Sequence, residues 1–252
     1  MIDNNENLLQ VKNLTVSTGT GGRKSNIVNN VSFCVRRGET FVLLGESGSG
    51  KSITALSIMR LLPTAIKITA GEAILHKSDL FQLPENKMRK IRGAKIGMIF
   101  QEPQTSLNPV LTAGQQISET LRQHENLSKK RCIERSIELL DAVGIPESKR
   151  RINEYPHQFS GGMKQRIMIA IALAGNPDLL IADEPTTALD VTIQAQVLEL
   201  LKKLQDDTGM SILFITHDLG VASQMADHIA VMKNGSIVEA KSKKELFSNP
   251  EH

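Results

Sequence analysis

The strongest constraint on the fold is a glycine-rich segment at residues 45–52, which matches the pattern G-x-x-x-x-G-K-[ST]. An apolar run typical of a strand, Phe41 to Leu44, precedes this segment. A helical pattern follows from Ser52 to Leu62, where Pro63 is expected to stop the helix. This order of strand, loop and helix is the context in which the pattern binds phosphate, and it disfavours the alternative of a plain glycine-rich turn.

The residue types of segment 45–52 suit the binding of an anion. Its glycines let the backbone approach closely, so that successive N–H groups and the start of the following helix face phosphate oxygens. Lys51 adds a positive point charge, and the hydroxyl of Ser52 can ligate magnesium. The predicted phosphate-binding residues are Gly45, Glu46, Ser47, Gly48, Ser49, Gly50, Lys51 and Ser52.

Length and composition limit the remaining possibilities. With 252 residues and 40% hydrophobic content, the chain can form one large α/β domain or two small ones with a real core. A net charge of only +3, 3% aromatic residues and no Trp disfavour nucleic acid as a partner. Cys34 and Cys132 lie far apart, in neither a zinc nor a redox spacing, which suits structural thiols in a cytosolic protein.

No targeting or membrane-spanning segment is evident. The first six residues lack a basic region followed by an apolar stretch, and no run approaches the roughly 18 apolar residues that a membrane span needs. We therefore expect a protein that is neither secreted nor embedded in a membrane on its own.

Hydropathy patterns predict a mixed α/β architecture. Alternation in Leu8–Val16 and Val31–Val35 indicates an antiparallel hairpin. Continuous apolar runs at residues 179–182 and 211–215, with a helical segment between them, indicate central parallel strands in a βαβ arrangement. Shorter strands are expected at 73–75 and 95–100, and an Asn-Gly hairpin turn is expected at 234–235.

A helical block interrupts this pattern. From Thr112 to Ile145 the periodicity is helical, and Ser160-Gly161-Gly162 opens a further helix that runs to about Gly175. Within the block, one helix face is predicted to carry Ile133, Ile137, Leu140 and Val143.

Polar side chains follow three predicted strands, at the end where open α/β sheets bind ligands. Asp183 is suited to hold magnesium and Glu184 to activate water, although the pair could simply cap a helix. His217 could reach the γ-phosphate, whereas a lone histidine is more often structural. Gln101 could sense magnesium or the attacking water, or could serve only as a turn-forming amide.

Residues 159–166, Phe-Ser-Gly-Gly-Met-Lys-Gln-Arg, resemble the signature motif of the nucleotide-binding domains of ABC transporters. Residues 187–190 look like the D-loop of that family, Gln101 like its Q-loop and His217 like its switch histidine. Three longer stretches resemble the oligopeptide, dipeptide, nickel and glutathione importer branch: residues 101–109, 155–158 and 182–191.

The resemblance implies a P-loop NTPase fold of the ABC type within a single domain, residues 1–252. A core and an antiparallel β subdomain would occupy about 1–100 and 176–252, and an inserted helical subdomain about 102–175. ATP and Mg²⁺ would bind, with Lys51, Gln101, Glu184 and His217 in catalysis and Ser52, Gln101 and Asp183 at the metal. Further nucleotide contacts would come from Gln101, Ser160, Gly161, Gly162, Asp190 and His217.

The signature makes physical sense only with a second subunit, because its Gly-Gly helix start is another anion site far from residues 45–52 in sequence. The resemblance implies a head-to-tail dimer, with an identical or a related ATPase, in which ATP lies between the two. Membrane permease subunits and, indirectly, an external solute-binding protein complete the expected importer. The chain would lie peripherally at the cytoplasmic face of the membrane and drive uptake of peptides, nickel or a similar solute.

A soluble ABC ATPase acting on ribosomes or DNA is the rival from another class, but the second cassette, coiled-coil insert or basic arm expected of it is missing from the sequence.

One departure from the family concerns recognition of the adenine base of ATP. The aromatic residue that stacks on adenine should lie near Thr18, yet no aromatic occurs before Phe33. We expect phosphates and magnesium to supply most of the affinity, with only modest discrimination between ATP and GTP.

Overall fold

The structure, a computed structural model, describes residues 7–19, 25–125, 127–187 and 189–248. It divides into two compact units. The first combines the residues up to Met88 with those from Thr208 onward, and the second comprises Arg89–Asp207. The inserted helical subdomain at about 102–175 stays a prediction.

The elements follow one another in chain order. The first part contains β1 (Asn7–Thr18), β2 (Ser25–Arg36), β3 (Thr40–Leu44), α1 (Lys51–Met59), β4 (Ile66–Leu75), β5 (Ser78–Asp79) and α2 (Glu85–Ile91). The middle part contains β6 (Ile96–Ile99), α3 (Pro103–Ser106), α4 (Ala113–His124), α5 (Lys129–Ala142), α6 (Ser148–Arg151), a 3₁₀ turn (Pro156–Gln158), α7 (Gly161–Leu173), β7 (Leu179–Asp183) and α8 (Val191–Thr208). The last part contains β8 (Ser211–Thr216), α9 (Leu219–Met225), β9 (His228–Lys233), β10 (Ser236–Ser242) and α10 (Lys243–Ser248).

An antiparallel sheet with the order β2-β1-β4-β5 forms one layer of the first unit. Its β1–β2 pairing, which places Val11 opposite Phe33, confirms the predicted hairpin. Leu9 and Val11 of β1 are buried, and after a shift in register Leu14 and Val16 are buried in the same alternating way. The strand alternation read from the sequence therefore marks the face that packs into the core.

The loop-bearing strand β3 lies in the interior of the same unit. It pairs in parallel with β8 on one side and β9 on the other, and β9 pairs with β10 in an antiparallel hairpin. Every residue of β3 and of β8 is buried, as expected for continuous apolar runs in central parallel strands. Asn234 and Gly235 both have positive φ, 50° and 81°, so the predicted tight hairpin turn forms between β9 and β10.

Helix α1 is shorter than the sequence suggested. It ends at Met59 rather than near Leu62, because Arg60 takes a left-handed conformation with φ 52° and its N–H returns to the carbonyls of Leu56 and Ser57. Such a left-handed residue closes a helix by satisfying its last carbonyl groups. The stop therefore precedes Pro63 instead of depending on it.

In the second unit, β6 and β7 pair in parallel, and helices make up most of the rest. The predicted face of α5 is buried at Leu140 and Val143, but Ile133 on that face is 44% exposed. The buried side of the helix also includes Cys132 and Leu139. Among the helices that the structure describes, none is both long and apolar enough to cross a bilayer.

The two cysteines occupy different environments. Cys132 is buried, and Cys34 is half-buried on β2. Burial raises the pKa of the Cys34 thiol, with a smaller opposing effect from the charge of Arg36. Both thiols are free.

Candidate functional site

The glycine-rich loop, residues 45–52, begins where β3 ends and lies against the end of β8 and the β9–β10 hairpin. The Gly45 N–H donates to Thr216 O at 3.3 Å, and a Cβ on Gly45 would lie only 2.2 Å from Met232 O. Gly50 has φ +104°, a conformation that other residues rarely adopt. These two positions require glycine for physical reasons independent of any ligand.

The turn of that hairpin also holds the loop directly. The Gly235 N–H donates to Ser49 O at 3.0 Å, and Gly235 O in turn accepts from the Asn29 N–H at 2.8 Å. A cavity of about 280 Å³ lies between residues 45–49 of the loop and residues 231–234 of the hairpin. The loop therefore combines a fixed backbone with an accessible face.

Lys51 lies within the loop rather than in solvent. Its side chain is only 4% exposed, and Nζ donates to Gly45 O at 2.7 Å and to Glu46 O at 2.9 Å. No side chain caps the start of α1, whose first turn includes the half-buried Ser52. A buried ammonium next to an uncapped helix start is a setting in which an anion is bound favourably.

The second unit holds Gln101 and Glu184 together. Ile99 of β6 pairs with Ala182 of β7, and this register brings the residues that follow the two strands side by side. Gln101 Nε2 donates to Glu184 Oε2 at 3.1 Å, and a carboxylate can only accept, so the amide nitrogen must be the donor. The contact leaves Gln101 Oε1 as the atom that could ligate a metal.

Glu184 is positioned by its backbone as well. Its φ of 46° places it in the left-handed region, which costs about 1–3 kcal/mol for a residue other than glycine and is typical of functional sites. The carboxylate is buried and accepts a second hydrogen bond from Thr187 Oγ1 at 2.9 Å, while the Thr187 N–H donates to Glu184 O at 3.1 Å. The strained conformation is thus held by the turn that follows it.

Asp183, the last residue of β7, is 5% exposed. Its carboxylate and Gln101 Oε1 are oxygen ligands, the type that Mg²⁺ prefers, and Mg²⁺ usually takes one or two carboxylates and completes its shell with water and phosphate. The third predicted donor, the hydroxyl of Ser52 in the first unit, is also an oxygen. Among the residues that the structure describes, no group of three or more His, Cys, Asp or Glu could hold a metal by itself. Each predicted donor is therefore of the chemical type that suits a magnesium ion bound together with a phosphate ligand.

The helix start at residues 160–162 is exposed and well formed. Ser160 caps the 13-residue helix α7, with its Oγ accepting from the Met163 N–H at 3.3 Å. Arg166 on the same helix donates to Val143 O at 2.7 Å and to Gln196 Oε1 at 3.1 Å, which ties α7 to the end of α5 and to α8. The Gly161 and Gly162 N–H groups lie in the first turn, where a helix leaves its donors without an intrahelical partner.

The remaining predicted residues have visible local roles. Asp190 Oδ1 accepts from the Ile193 N–H at 2.9 Å and so caps the start of α8. His217 directly follows β8 and is exposed, and the next residue, Asp218, caps α9. Thr18 is half-buried, and its Oγ1 donates to Ala65 O at 3.5 Å. Ala188, within the D-loop resemblance, lies outside the described residues. Nucleotide contacts of these residues stay predictions.

Sequence reasoning missed how Glu184 is held. Thr187 was singled out only within the D-loop resemblance, and its hydroxyl contact to Glu184 has no independent signal beyond a spacing of three residues. The positive φ of Glu184 could not be foreseen either, because glutamate rarely adopts it.

The predicted site residues are divided between the two units. The phosphate loop and His217 lie in the first unit, whereas Gln101, Asp183, Glu184, Asp190 and the α7 start lie in the second.

Comparison with known proteins gives consistent matches. A family described as ABC transporter matches residues 28–187. The oligopeptide transport ATP-binding protein OppD of Bacillus subtilis (strain 168) is 52% identical over 246 residues, which covers 97% of this chain and 69% of OppD. A putative peptide import ATP-binding protein of Brucella melitensis biotype 1, BMEII0863, is 55% identical over 251 residues, or 97% of this chain and 74% of the relative.

Solved structures match over nearly the whole chain. A dimeric post-hydrolysis state of the ATP-binding cassette MJ0796 bound to ADP and Pi has a TM-score of 0.83 and 33% identity, covering 93% of this chain and 98% of that one. CbiO1 from Clostridium perfringens, part of the ABC transporter complex cbiONQ, has a TM-score of 0.82 and 26% identity, covering 98% and 92%. The fold is therefore that of a P-loop NTPase of the ABC type. Because the family match spans more than half of the sequence and the relatives exceed 50% identity over nearly all of it, the chain belongs to the ABC transporter family.

Proposed function

We propose that the chain is the ATP-binding and ATP-hydrolysing subunit of an ABC importer for oligopeptides, dipeptides or a similar small solute such as nickel. The observation that carries the proposal is the buried carboxylate of Glu184, held by Gln101 and Thr187 at the end of a central strand. A module that only senses nucleotide has no need of a positioned carboxylate that can take a proton from water. Peptides come first among the solutes because relatives at 52–55% identity carry peptide transport names.

Each residue has a role that follows from its setting. The backbone of residues 45–52 and the ammonium of Lys51 bind the β- and γ-phosphates, in place of the loop carbonyls that Lys51 contacts here. Ser52, Asp183 and Gln101 would hold Mg²⁺, which would neutralise charge that develops on the phosphate oxygens. Glu184 accepts the proton of the attacking water, and His217 donates a hydrogen bond to the γ-phosphate.

The proposed assembly is a head-to-tail pair of ATPase subunits at the cytoplasmic face of the membrane. Residues 160–162 and Asp190 of one subunit would complete the nucleotide site of the other, because a helix start with unpaired N–H groups suits the far side of a triphosphate. Closure of the pair on ATP would then be passed to permease subunits, which select the solute with an external solute-binding protein. No nucleic acid takes part.

The contact of Thr187 with Glu184 can be tested separately from nucleotide binding. Thr187→Val removes the 2.9 Å hydrogen bond to Oε2 but keeps the side-chain shape, and a hydrogen bond to a charged group contributes about 1.5–3 kcal/mol. We expect ATP hydrolysis to fall by about tenfold or more with little change in ATP affinity, measured by steady-state turnover and by titration. Thr192→Val, at an exposed position of α8, is the matched control. A turnover equal to that of the control would remove Thr187 from this role.

Co-purification tests the transport function. We expect the tagged chain, extracted from its native membrane with mild detergent, to carry permease subunits that allow the solute receptor to be identified. In vesicles containing that complex, receptor loaded with a short peptide should stimulate ATP hydrolysis, whereas receptor loaded with Ni²⁺ should do so only if nickel is the solute. Recovery with ribosomes or DNA instead of permease would contradict the proposal and favour the soluble rival.

A further inference from the structure

A cavity of about 510 Å³ lies on the antiparallel sheet of the first unit and shares no residue with the phosphate loop. We call it the basic pocket. Its volume is within the range of small-molecule sites, about 300–1,000 Å³. The lining residues are Asn7, Leu8, Gln10, Lys12, Arg37, Ile74, His76 and Lys77.

The pocket is strongly positive. Lys12, Arg37 and Lys77 are exposed cations, and in the described part of the chain none of them forms an ion pair with a carboxylate. Among the described residues that line the cavity none is acidic, although Glu72 of β4 pairs in register with Lys12 of β1. Three cations gathered without acidic partners repel one another, so an anion that binds among them is favoured.

Arg37 and His76 give the pocket directional donors. The Arg37 Nη2 lies 3.1 Å from His76 Nδ1, and because a guanidinium can only donate, Nδ1 is the acceptor. With Nδ1 as an acceptor, the ring can carry a proton on Nε2 and donate from that atom. The guanidinium keeps other N–H groups in a planar fork that matches phosphate oxygens.

Two of these side chains, His76 and Lys77, belong to a turn whose backbone conformation is unfavourable for their residue types. His76 and Lys77 connect β4 to β5 with φ values of 46° and 71°, so two adjacent residues other than glycine lie in the left-handed region. The other tight hairpin of the unit, between β9 and β10, uses Asn234 and Gly235 for the same purpose. Strain of this kind is common at functional sites.

We infer that the basic pocket binds a phosphate group, with Lys12, Arg37 and Lys77 as its charged contacts and His76 as an added donor. The floor at Leu8 and Ile74 can accept an apolar part of the same ligand. Two sources supply this chemistry: a soluble phosphorylated molecule, or the headgroup of an anionic lipid. The site is separate from the nucleotide site and does not depend on the proposed transport function.

Titration calorimetry with inorganic pyrophosphate tests the inference on the whole chain. We expect the unaltered protein to bind two pyrophosphates, one at the phosphate loop and one in the basic pocket. Lys51→Ala should lose the first and keep the second. The double change His76→Asn, Lys77→Gly should keep the first and weaken the second by about tenfold or more. It should also melt at an equal or higher temperature, because Asn-Gly suits the turn.

Two further variants test whether the loss comes from the pocket charges. Lys12→Gln with Arg37→Gln removes charge without touching the turn and should cause the same loss. Lys87→Gln with Lys244→Gln removes equal charge at exposed positions outside the pocket and should leave both sites intact. A single pyrophosphate site that disappears in Lys51→Ala, or a second site unaffected by the pocket variants, would overturn the inference.

Vesicles distinguish the two sources of phosphate. If the ligand is a lipid headgroup, sedimentation with phosphatidylglycerol vesicles should fall in both pocket variants but not in the charge control, and phosphatidylcholine vesicles should not bind. If the ligand is soluble, the pocket variants should lose pyrophosphate alone, with vesicle binding unchanged. Either result, together with the loss of pyrophosphate, supports a phosphate site.

Discussion

Glu184→Gln is expected to lower ATP hydrolysis by about 10²–10⁴-fold while ATP binding is retained, which is the range for the loss of a general base. The amide of Gln has nearly the shape of the carboxylate, and its oxygen can still accept from Thr187 and Gln101, so the turn should keep its form. The altered protein should therefore accumulate with ATP trapped in a closed dimer. Hydrolysis rates measured under single-turnover and multiple-turnover conditions test the first effect. Size-exclusion chromatography with Mg-ATP tests for the dimer.

A matched control separates chemistry from general charge. Glu199→Gln makes the same change at an exposed position of α8 and should leave hydrolysis unaltered. Near-normal turnover in Glu184→Gln would mean that another group takes the proton from water. Loss of ATP binding in that variant would instead mean that the carboxylate supports the fold of the loop that follows it.

Mixing two inactive proteins is expected to restore part of the trapped nucleotide. On the Glu184→Gln background, Lys51→Ala damages the phosphate loop and Ser160→Arg blocks the helix start with a bulky cation, so each alone should trap almost no ATP. In a head-to-tail pair with one subunit of each kind, one composite site receives both lesions and the other receives none. Random pairing should therefore restore about a quarter of the trapped ATP, since half of the dimers are mixed and each has one intact site.

The arrangement of the two lesions decides the result. If Lys51 and Ser160 served the same site within one subunit, every site in the mixture would carry one lesion and nothing would be restored. Filter binding of labelled ATP after dilution into excess unlabelled ATP counts the trapped nucleotide. As a control, Lys164→Arg keeps the charge at a half-buried position of α7 and should mix without loss.

The sequence alone predicted the parts of the site that depend on local pattern. The strand, loop and helix around residues 45–52, the strand that ends at Asp183 and the cap at Ser160 each have a pattern or motif with a direct physical cause. The Asn-Gly turn between β9 and β10 is of the same kind. Such features are set by residues near one another in the chain.

Features set by distant residues were not predictable in the same way. The exposed side of α5 at Ile133 depends on what packs against the helix, because Ile133 has the same hydrophobic periodicity as the buried Leu140. The early end of α1 depends on a left-handed Arg60, a residue type that gives no signal for it. The hydrogen bond from Thr187 to Glu184 depends on a turn in which Glu184 has a left-handed backbone conformation, and the residue types give no signal for that conformation.

The bond between Gly235 and Ser49 has a consequence for how the protein is made. The loop at residues 45–52 is synthesised well before Gly235, whose N–H holds the loop backbone at Ser49. Contacts of such long sequence separation form late, because the intervening chain must be closed first. A nascent chain therefore completes its phosphate loop only after the β9–β10 hairpin has been synthesised, and it cannot begin a catalytic cycle before the other strands around the loop exist.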